Sequence, residues 1–184
     1  MAGGAVRRPT GILRLDASLG GGLAEGECHE FVEAAPGLGG QMLVHALLQG
    51  SRREARFLAL VEAGNAFDPQ SAAPEELEAL LWVRCTRARE GLLATDILVR
   101  DENIPLVLLD LREAPEGDFS GLRDRLWRRV ILAARGSGCT LAVLTPRPCV
   151  PACRQRVRLR ERFSLDAVEE GVENLKRIEA DGAW

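Results

Sequence analysis

The sequence predicts an α/β fold in which helices flank a mostly parallel central sheet. Short apolar runs of strand length alternate along the chain with segments of helical periodicity. Turns rich in glycine and proline separate these segments, and neither an internal repeat nor a linker interrupts them. With 184 residues, 46% of them hydrophobic, the chain is long enough for a sizeable core. We therefore expect one domain over residues 1–184.

The first half of the chain contains three predicted strands and two helical segments. Glu27–Glu33 reads as a strand, and Gly40–Gln49 as a helix because its apolar residues recur at helical spacing. Arg56–Glu62 is an apolar run of strand length. Pro74–Ala79 forms a helical turn, since proline and glutamates favour a helix start. Leu80–Arg84 follows as a short strand.

The second half continues the alternation. Ala88–Arg100 is predicted to be a helix with three leucines facing inward, and Leu106–Asp110 is a buried apolar strand. Phe119–Arg135 is predicted to be a helix that Gly136 and Gly138 end, and Thr140–Thr145 is the next strand. We expect Glu30–Glu33, Phe57–Glu62, Leu106–Asp110 and Leu141–Thr145 to be adjacent parallel strands. Their carboxyl ends should then meet at one edge of the sheet.

A glycine-rich turn between the first strand and the first helix is the candidate nucleotide site. A working P-loop needs the pattern G-x-x-x-x-G-K-[ST], whose lysine reaches the phosphates and whose hydroxyl holds magnesium. Here the segment reads APGLGGQM, so Gly39 takes the second glycine position. Gly40 then replaces the lysine and Gln41 replaces the hydroxyl residue. The glycines, Gly37 among them, either only shape the turn or retain weak anion binding at the helix N-terminus.

Two carboxylates are expected beside this turn. Glu62 and Asp110 each end an apolar strand, so both should reach the same edge of the sheet as the turn. Asp110 is otherwise a strand-end or helix-capping carboxylate. With no lysine at position 40, nearby arginines or water should compensate the two charges.

Two long segments resemble RecA recombinases over about two thirds of the chain. They are Thr10–Phe31, which reads TGILRLDASLGGGLAEGECHEF, and Leu60–Pro69, which reads LVEAGNAFDP. The resemblance implies a RecA-like core of the P-loop NTPase type. It puts Gly64 where RecA carries its catalytic glutamate, and Asp110 where RecA supports its magnesium shell. The implied protein is a pseudo-ATPase with no catalytic residues, in which binding of ATP and magnesium is not expected.

The resemblance also implies that this chain has shortened or altered counterparts of the RecA segments that contact DNA and neighbouring subunits. Thr145 and Pro146 stand where RecA carries a γ-phosphate-sensing glutamine, and Arg147–Cys153 is too short for its DNA-binding loop. Nine residues precede Thr10, fewer than the arm with which RecA polymerises, so no RecA-type filament is expected.

A basic stripe marks the C-terminal part, residues 154–184. Arginines recur at every second position and alternate with apolar residues, which predicts a strand with all of the arginines on one face. They are Arg154, Arg156, Arg158, Arg160 and Arg162. The stripe is interpreted as a surface for DNA phosphates or an acidic partner, or as an edge strand that uses charge to prevent aggregation. The apolar residues from Leu165 to Ile178 have helical spacing and predict a docking helix or a last hairpin.

Composition narrows the class of protein. The net charge of −3 argues against a chain that binds nucleic acid over its whole surface. No signal peptide and no membrane span are recognised, so a cytoplasmic location is expected. The five cysteines are scattered and lack a second ligand pair, so no metal site is expected.

Resemblance also suggests the role. The strand Cys28–Phe31 and the arginine-rich helix Asp124–Arg135 resemble the ImuA-type accessory protein of the mutagenic polymerase cassette. This implies a non-catalytic accessory protein of the SOS response, in DNA repair and translesion synthesis. Its partners would be a Y-family polymerase-like protein or RecA, with DNA as a further target. The alternatives are a diverged RecA paralogue, a SulA-type cell-division inhibitor and a weak RecA-like ATPase.

Overall fold

The computed structural model describes residues 6–151 and 153–160, and a six-stranded sheet forms its centre. In chain order the strands are β1 (Arg7–Arg8), β2 (Leu23–Ala24), β3 (Cys28–Glu33), β4 (Leu58–Ala63), β5 (Leu80–Cys85), β6 (Leu106–Asp110), β7 (Thr140–Thr145) and β8 (Gln155–Leu159). The central sheet has the order β5-β4-β6-β7-β3-β8, and every pairing in it is parallel. β1 and β2 form a separate antiparallel pair.

Helices cover both faces of the sheet. They are α1 (Leu13–Ser18), α2 (Gly40–Arg53), α3 (Pro74–Leu77), α4 (Ala88–Leu98) and α5 (Asp124–Ser137). α1 and α2 pack on one face, where Phe31 and Leu108 are buried. α4 and α5 pack on the other face, around the fully buried Trp127. Each face therefore has its own apolar core, as a parallel sheet requires.

The predicted fold class is confirmed. β4, β6, β7 and β3 are consecutive neighbours in the sheet, as the apolar runs predict. The register pairs Glu62 directly with Asp110 at the carboxyl ends of β4 and β6. Because neighbouring parallel strands in register point matching residues to the same face, these two side chains lie side by side.

The N-terminal motif has a local physical explanation. The Asp16 carboxylate accepts hydrogen bonds from the backbone N–H of Thr10 at 2.7 Å, the hydroxyl of Thr10 at 2.8 Å and the backbone N–H of Gly11 at 3.2 Å. Gly22 has φ 120°, and a Cβ there would fall on the backbone of Arg8. The aspartate and the glycine thus close the loop that leads into β3.

The start of α5 was wrongly predicted. Residues 119–121 belong to a 3₁₀ turn, Glu116–Gly121, and the α-helix begins at Asp124. The side chain of Asp118 accepts hydrogen bonds from the backbone N–H of Ala88 at 3.0 Å and from Arg87 at 3.1 Å, which anchors this turn to the start of α4. At its other end the helix runs through Gly136 and stops at Gly138, which has φ 77°.

Other boundaries move by only a few residues. The predicted run from Leu165 to Ile178 lies outside the described residues.

Within the described ranges, no helix has the length and apolar character needed to cross a membrane. All five cysteines are free thiols.

Candidate functional site

Three buried carboxylates meet at the carboxyl edge of the sheet, on the face that carries α2. Glu33 ends β3, Glu62 lies near the end of β4 and Asp110 ends β6, and each is at most 4% exposed. Buried charges persist only where they are paired or hydrogen-bonded. The partners of these carboxylates therefore decide what the edge can bind.

Glu33 occupies the anion position of the glycine-rich turn. Its Oε1 accepts hydrogen bonds from the backbone N–H of Leu38 at 2.8 Å and of Gly40 at 3.0 Å. Gly39, with φ 112°, turns the chain so that α2 can begin at Gly40. Backbone N–H groups at this place are the donors that a P-loop offers to phosphate. Here a carboxylate of the chain itself already satisfies two of them.

Arg112 joins two of the carboxylates. Its Nη1 lies 2.7 Å from Glu33 Oε2, and its Nη2 lies 2.6 Å from Asp110 Oδ2, while its Nε also donates to Asp110. Burial lowers the pKa of Arg112, but the hydrogen bonds and charges of Asp110 and Glu33 outweigh that effect and raise it above its usual value. The guanidinium is therefore a permanent cation, and its side chain is 11% exposed.

The ion pair fills the position at which a P-loop carries its lysine. A Cβ built on Gly40 would fall on the carboxylate of Glu33 and the guanidinium of Arg112. Any residue larger than glycine must therefore displace the pair. Gln41, at the hydroxyl position, is held between Arg112 at 3.5 Å and His45 at 3.2 Å.

The position that the RecA resemblance assigns to a catalytic glutamate is closed as well. Gly64 has φ 118°, and a Cβ there would lie 2.7 Å from the Cβ of Glu113 and 2.8 Å from its carbonyl oxygen. The segment that follows β6 thus contacts two glycines of the site. Arg112 lies against Gly40, and Glu113 lies against Gly64.

Glu62 has weaker compensation than the other two carboxylates. Its Oε2 accepts a hydrogen bond from the backbone N–H of Phe67 at 3.0 Å, and its Oε1 lies 3.5 Å from the half-exposed Arg84. Burial raises the pKa of Glu62, the Phe67 N–H and Arg84 oppose the shift, and the charge of Asp110 adds to it. The expectation that arginines or water compensate the two strand-end acids is confirmed for Asp110, which Arg112 contacts at 2.6 Å, whereas Arg84 reaches Glu62 only at 3.5 Å.

An open cleft of about 740 Å³ remains above these groups. Its ionisable lining residues are Glu33, Asp68, Glu113 and Arg112. The carboxylates outnumber the cation, whereas a phosphate-binding cleft needs an excess of positive charge. Pro146, from the end of β7, completes one wall of the cleft.

The structure therefore brings together the predicted nucleotide-site residues. The turn glycines Gly37 and Gly39 and the side chain of Gln41 line the cleft, and Gly40, Glu62, Gly64 and Asp110 lie beside or beneath it. Sequence reasoning did not find three residues: Glu33, Arg112 and Glu113. The only signal for Glu33 was an acid at the end of a strand directly before the turn.

The basic stripe is shorter than predicted, and its arginines do not all share one exposed face. Only Gln155–Leu159 forms a strand, so Arg154 and Arg160 flank it, and Arg162 lies outside the described residues. Arg156 turns inward, because its Nε is 2.5 Å from Glu30 Oε2 and its Nη2 donates to the carbonyl of Val150. Arg158 is exposed.

Glu30 explains this correction. It is fully buried, and its Oε1 accepts hydrogen bonds from the hydroxyl of Thr145 and from the backbone N–H groups of Cys149 and Val150. Arg156 neutralises its charge. Among the strands of the described residues, β8 is the last in the order of the sheet, which is the edge position that the alternative interpretation gave it.

We predict that Arg156→Ala lowers the free energy of unfolding by about 3 kcal/mol, because it leaves the Glu30 carboxylate buried without a cation. Arg158→Ala on the same strand is the matched control, and it should change stability by less than about 0.5 kcal/mol. Urea denaturation of both variants measures the difference. Equal effects would contradict the internal role of Arg156.

Comparison with known proteins gives one consistent result. No family profile matches the chain. It is 30% identical over 148 residues to Protein RecA of a Nostoc species, covering 72% of this chain and 41% of that protein. It is also 30% identical over 151 residues to Protein RecA of Trichodesmium erythraeum, covering 73% of this chain and 42% of that protein.

The chain spans about two fifths of the length of the curated RecA proteins that it matches. The similarity agrees with the parallel order of the strands, with helices on both faces of the sheet. Sequence and architecture together show that the chain has a RecA-like α/β fold of the P-loop NTPase type.

Proposed function

We propose that this chain is a non-catalytic RecA-like accessory protein that acts by binding in damage-inducible DNA repair and translesion mutagenesis. One observation carries the proposal. At the place where a P-loop protein holds phosphate, Glu33 takes the backbone N–H groups and Arg112 fills the space beside Gly40.

Electrostatics support the absence of nucleotide chemistry. A triphosphate would have to displace the Glu33 carboxylate from the turn, which would separate it from Arg112 and break a buried ion pair. It would also approach Asp68 and Glu113, whose charges repel phosphate. Without a lysine and a hydroxyl, nothing in the turn offsets these costs.

The role in repair rests on similarity. The relatives with curated names are RecA proteins, and the resemblance to ImuA-type accessory proteins depends on the strand around His29 and on α5. In the structure that strand has a supporting role, since His29 Nε2 accepts a hydrogen bond from the backbone N–H of Ala24 at 3.0 Å. Burial lowers the pKa of His29 to about 4, so it stays neutral at physiological pH. The proposed partners are a Y-family polymerase-like protein or RecA, with DNA as a further target.

We predict that calorimetry with ATP and magnesium detects no binding tighter than about 1 mM, because the phosphate position holds an internal carboxylate. No ATP turnover is expected under the same conditions. A micromolar Kd, or turnover that Asp110→Asn abolishes, would support the weak-ATPase alternative instead.

Partner binding separates the remaining alternatives. Surface plasmon resonance of the purified chain against purified RecA and a purified Y-family polymerase should give saturable binding to at least one of them. Binding to a tubulin-like division protein alone, with no effect on mutation frequency in cells, would favour the division-inhibitor alternative.

A further inference from the structure

A basic groove runs between α4 and α5, on the face of the sheet opposite to the candidate nucleotide site. At one end is a cavity of about 600 Å³ whose lining includes four arginines and no acid. The arginines are Arg89, Arg123, Arg125 and Arg129. A second cavity of about 500 Å³ continues the groove along α5 and shares Arg129 with the first. We call the two cavities together the α4–α5 groove.

Most of this positive charge has no ion-pair partner among residues 6–151 and 153–160, the described ranges. Arg129 is paired with Asp96 at 2.8 Å, and Arg100 also contacts Asp96, at 2.9 Å. Across the described ranges, Arg89, Arg123 and Arg125 form no ion pair, and all three are exposed. Three uncompensated cations facing one concave surface attract an anionic ligand.

Aliphatic side chains accompany the arginines. Leu93 and Leu126 line the first cavity, and Leu132 lines the second and is 64% exposed. Ile97 is 72% exposed, one helical turn after Leu93 on α4. Leu132 and Ile97 are thus two of the most exposed large apolar side chains of the described residues.

This combination favours a protein ligand over single-stranded nucleic acid. Single-stranded nucleic acid is held by cations together with aromatic rings on which the bases stack, and no aromatic residue lines either cavity. Exposed aliphatic residues beside unpaired arginines match a segment that carries both carboxylates and aliphatic side chains. Grooves between two helices commonly bind such amphipathic segments.

We propose that the α4–α5 groove is the docking site for an acidic, leucine-containing segment of a partner protein. The proposal rests on the proposed function, in that the chain acts by binding. Charge complementarity comes from Arg89, Arg123 and Arg125. Apolar contact comes from Leu93 and Leu132 in the groove and from the exposed Ile97, which lies beside it on α4 and lines neither cavity.

The test uses the full chain and a short fluorescein-labelled peptide of aspartate and glutamate with leucine at every third or fourth position. Fluorescence anisotropy should show saturable binding. Replacing the arginines together (Arg89→Gln, Arg123→Gln, Arg125→Gln) should weaken it by about tenfold or more, because three exposed charge pairs are lost. Replacing the aliphatic residues (Ile97→Ser, Leu132→Ser) should weaken it several-fold.

The matched control carries the same change of charge on the opposite face of the sheet. Arg52→Gln, Arg53→Gln and Arg56→Gln remove three exposed arginines at the end of α2 and in the loop after it, and should leave peptide binding unchanged. A version of the peptide with serine in place of leucine should bind more weakly. An equal loss in the control variant, or no binding of the acidic peptide, would overturn the proposal.

Other occupants give different results. Tighter binding of a single-stranded oligonucleotide, lost with the three groove arginines but not with Ile97→Ser and Leu132→Ser, would make the groove a nucleic-acid surface and overturn the proposal. Hydrogen exchange of the amides in residues 161–184 is a further measurement. If it is faster in the arginine variant, that segment of the chain itself binds the α4–α5 groove. A dimer that the same variant dissociates would identify a second copy as the occupant.

Failure of the proposed function and failure of the docking site give different experimental results. ATP binding by calorimetry would overturn the non-catalytic role even if the peptide still bound the groove. Loss of peptide binding without ATP binding would overturn only the docking site.

Discussion

Arg112→Met should lower the free energy of unfolding by about 3–5 kcal/mol, the largest effect expected of a single side chain at the carboxyl edge. The substitution removes the only cation in contact with two buried carboxylates of the described structure, those of Glu33 and Asp110. Methionine fills part of the volume but offers no hydrogen bonds, so both charges become uncompensated. Urea denaturation at neutral pH measures the loss.

Arg147→Met is the matched control for that result. Arg147 and Glu116 are also 2.6 Å apart, the distance found between Arg112 and Asp110, but their side chains are 48% and 85% exposed. An exposed pair contributes about 0–1 kcal/mol, because water screens it. If the two variants lost similar stability, the contacts of Arg112 with Glu33 and Asp110 would contribute no more than an exposed ion pair does, which would contradict this prediction.

Introducing the residues of a working P-loop should not produce ATP hydrolysis. The variant Gly40→Lys, Gln41→Thr, Gly64→Glu has the expected side-chain types, but the space for them is taken. A Cβ at position 40 meets Glu33 and Arg112, and a Cβ at position 64 meets the backbone of Glu113. We expect no turnover and a loss of at least about 3 kcal/mol of stability, from overpacking and from the positive φ at position 64.

Single alanine substitutions separate these two costs. At position 64 the backbone φ is 118°, and an alanine Cβ would lie 2.7 Å from the Cβ of Glu113. At position 37 the backbone φ is 85°, and an alanine Cβ would have no heavy atom within 4 Å. Gly37→Ala should therefore cost only the conformational strain of about 1–2 kcal/mol, and Gly64→Ala should cost at least about 1 kcal/mol more. Turnover of ATP by the three-residue variant would show that the segment after β6 moves aside easily, and that the side-chain types at these three positions alone limit activity.

Local features explain how much of the architecture was predictable. The strands around Leu60 and Leu108 are continuous apolar runs, because both of their faces are buried, and a sequence displays such runs directly. Gly138 marks the end of α5, because its φ of 77° suits glycine. The start of α5 was missed, since it depends on Asp118 bonding to the first residues of α4, and their separation by 30 positions hides that contact from any local pattern.

The sequence by itself determined the RecA-like order of elements and the absence of a lysine at position 40, a hydroxyl at position 41 and a glutamate at position 64, because those features depend on residue type at adjacent positions. Only the tertiary structure decided what replaced them. Glu33 and Arg112 are 79 positions apart, and they meet because parallel strands bring their carboxyl ends to one edge. Likewise, Arg156 is 126 positions from Glu30, so the sequence showed a basic stripe where the fold makes an internal ion pair. A run of charged residues indicates an exposed surface only when no buried residue of opposite charge lies close enough to pair with it. The fold decides whether such a residue is close.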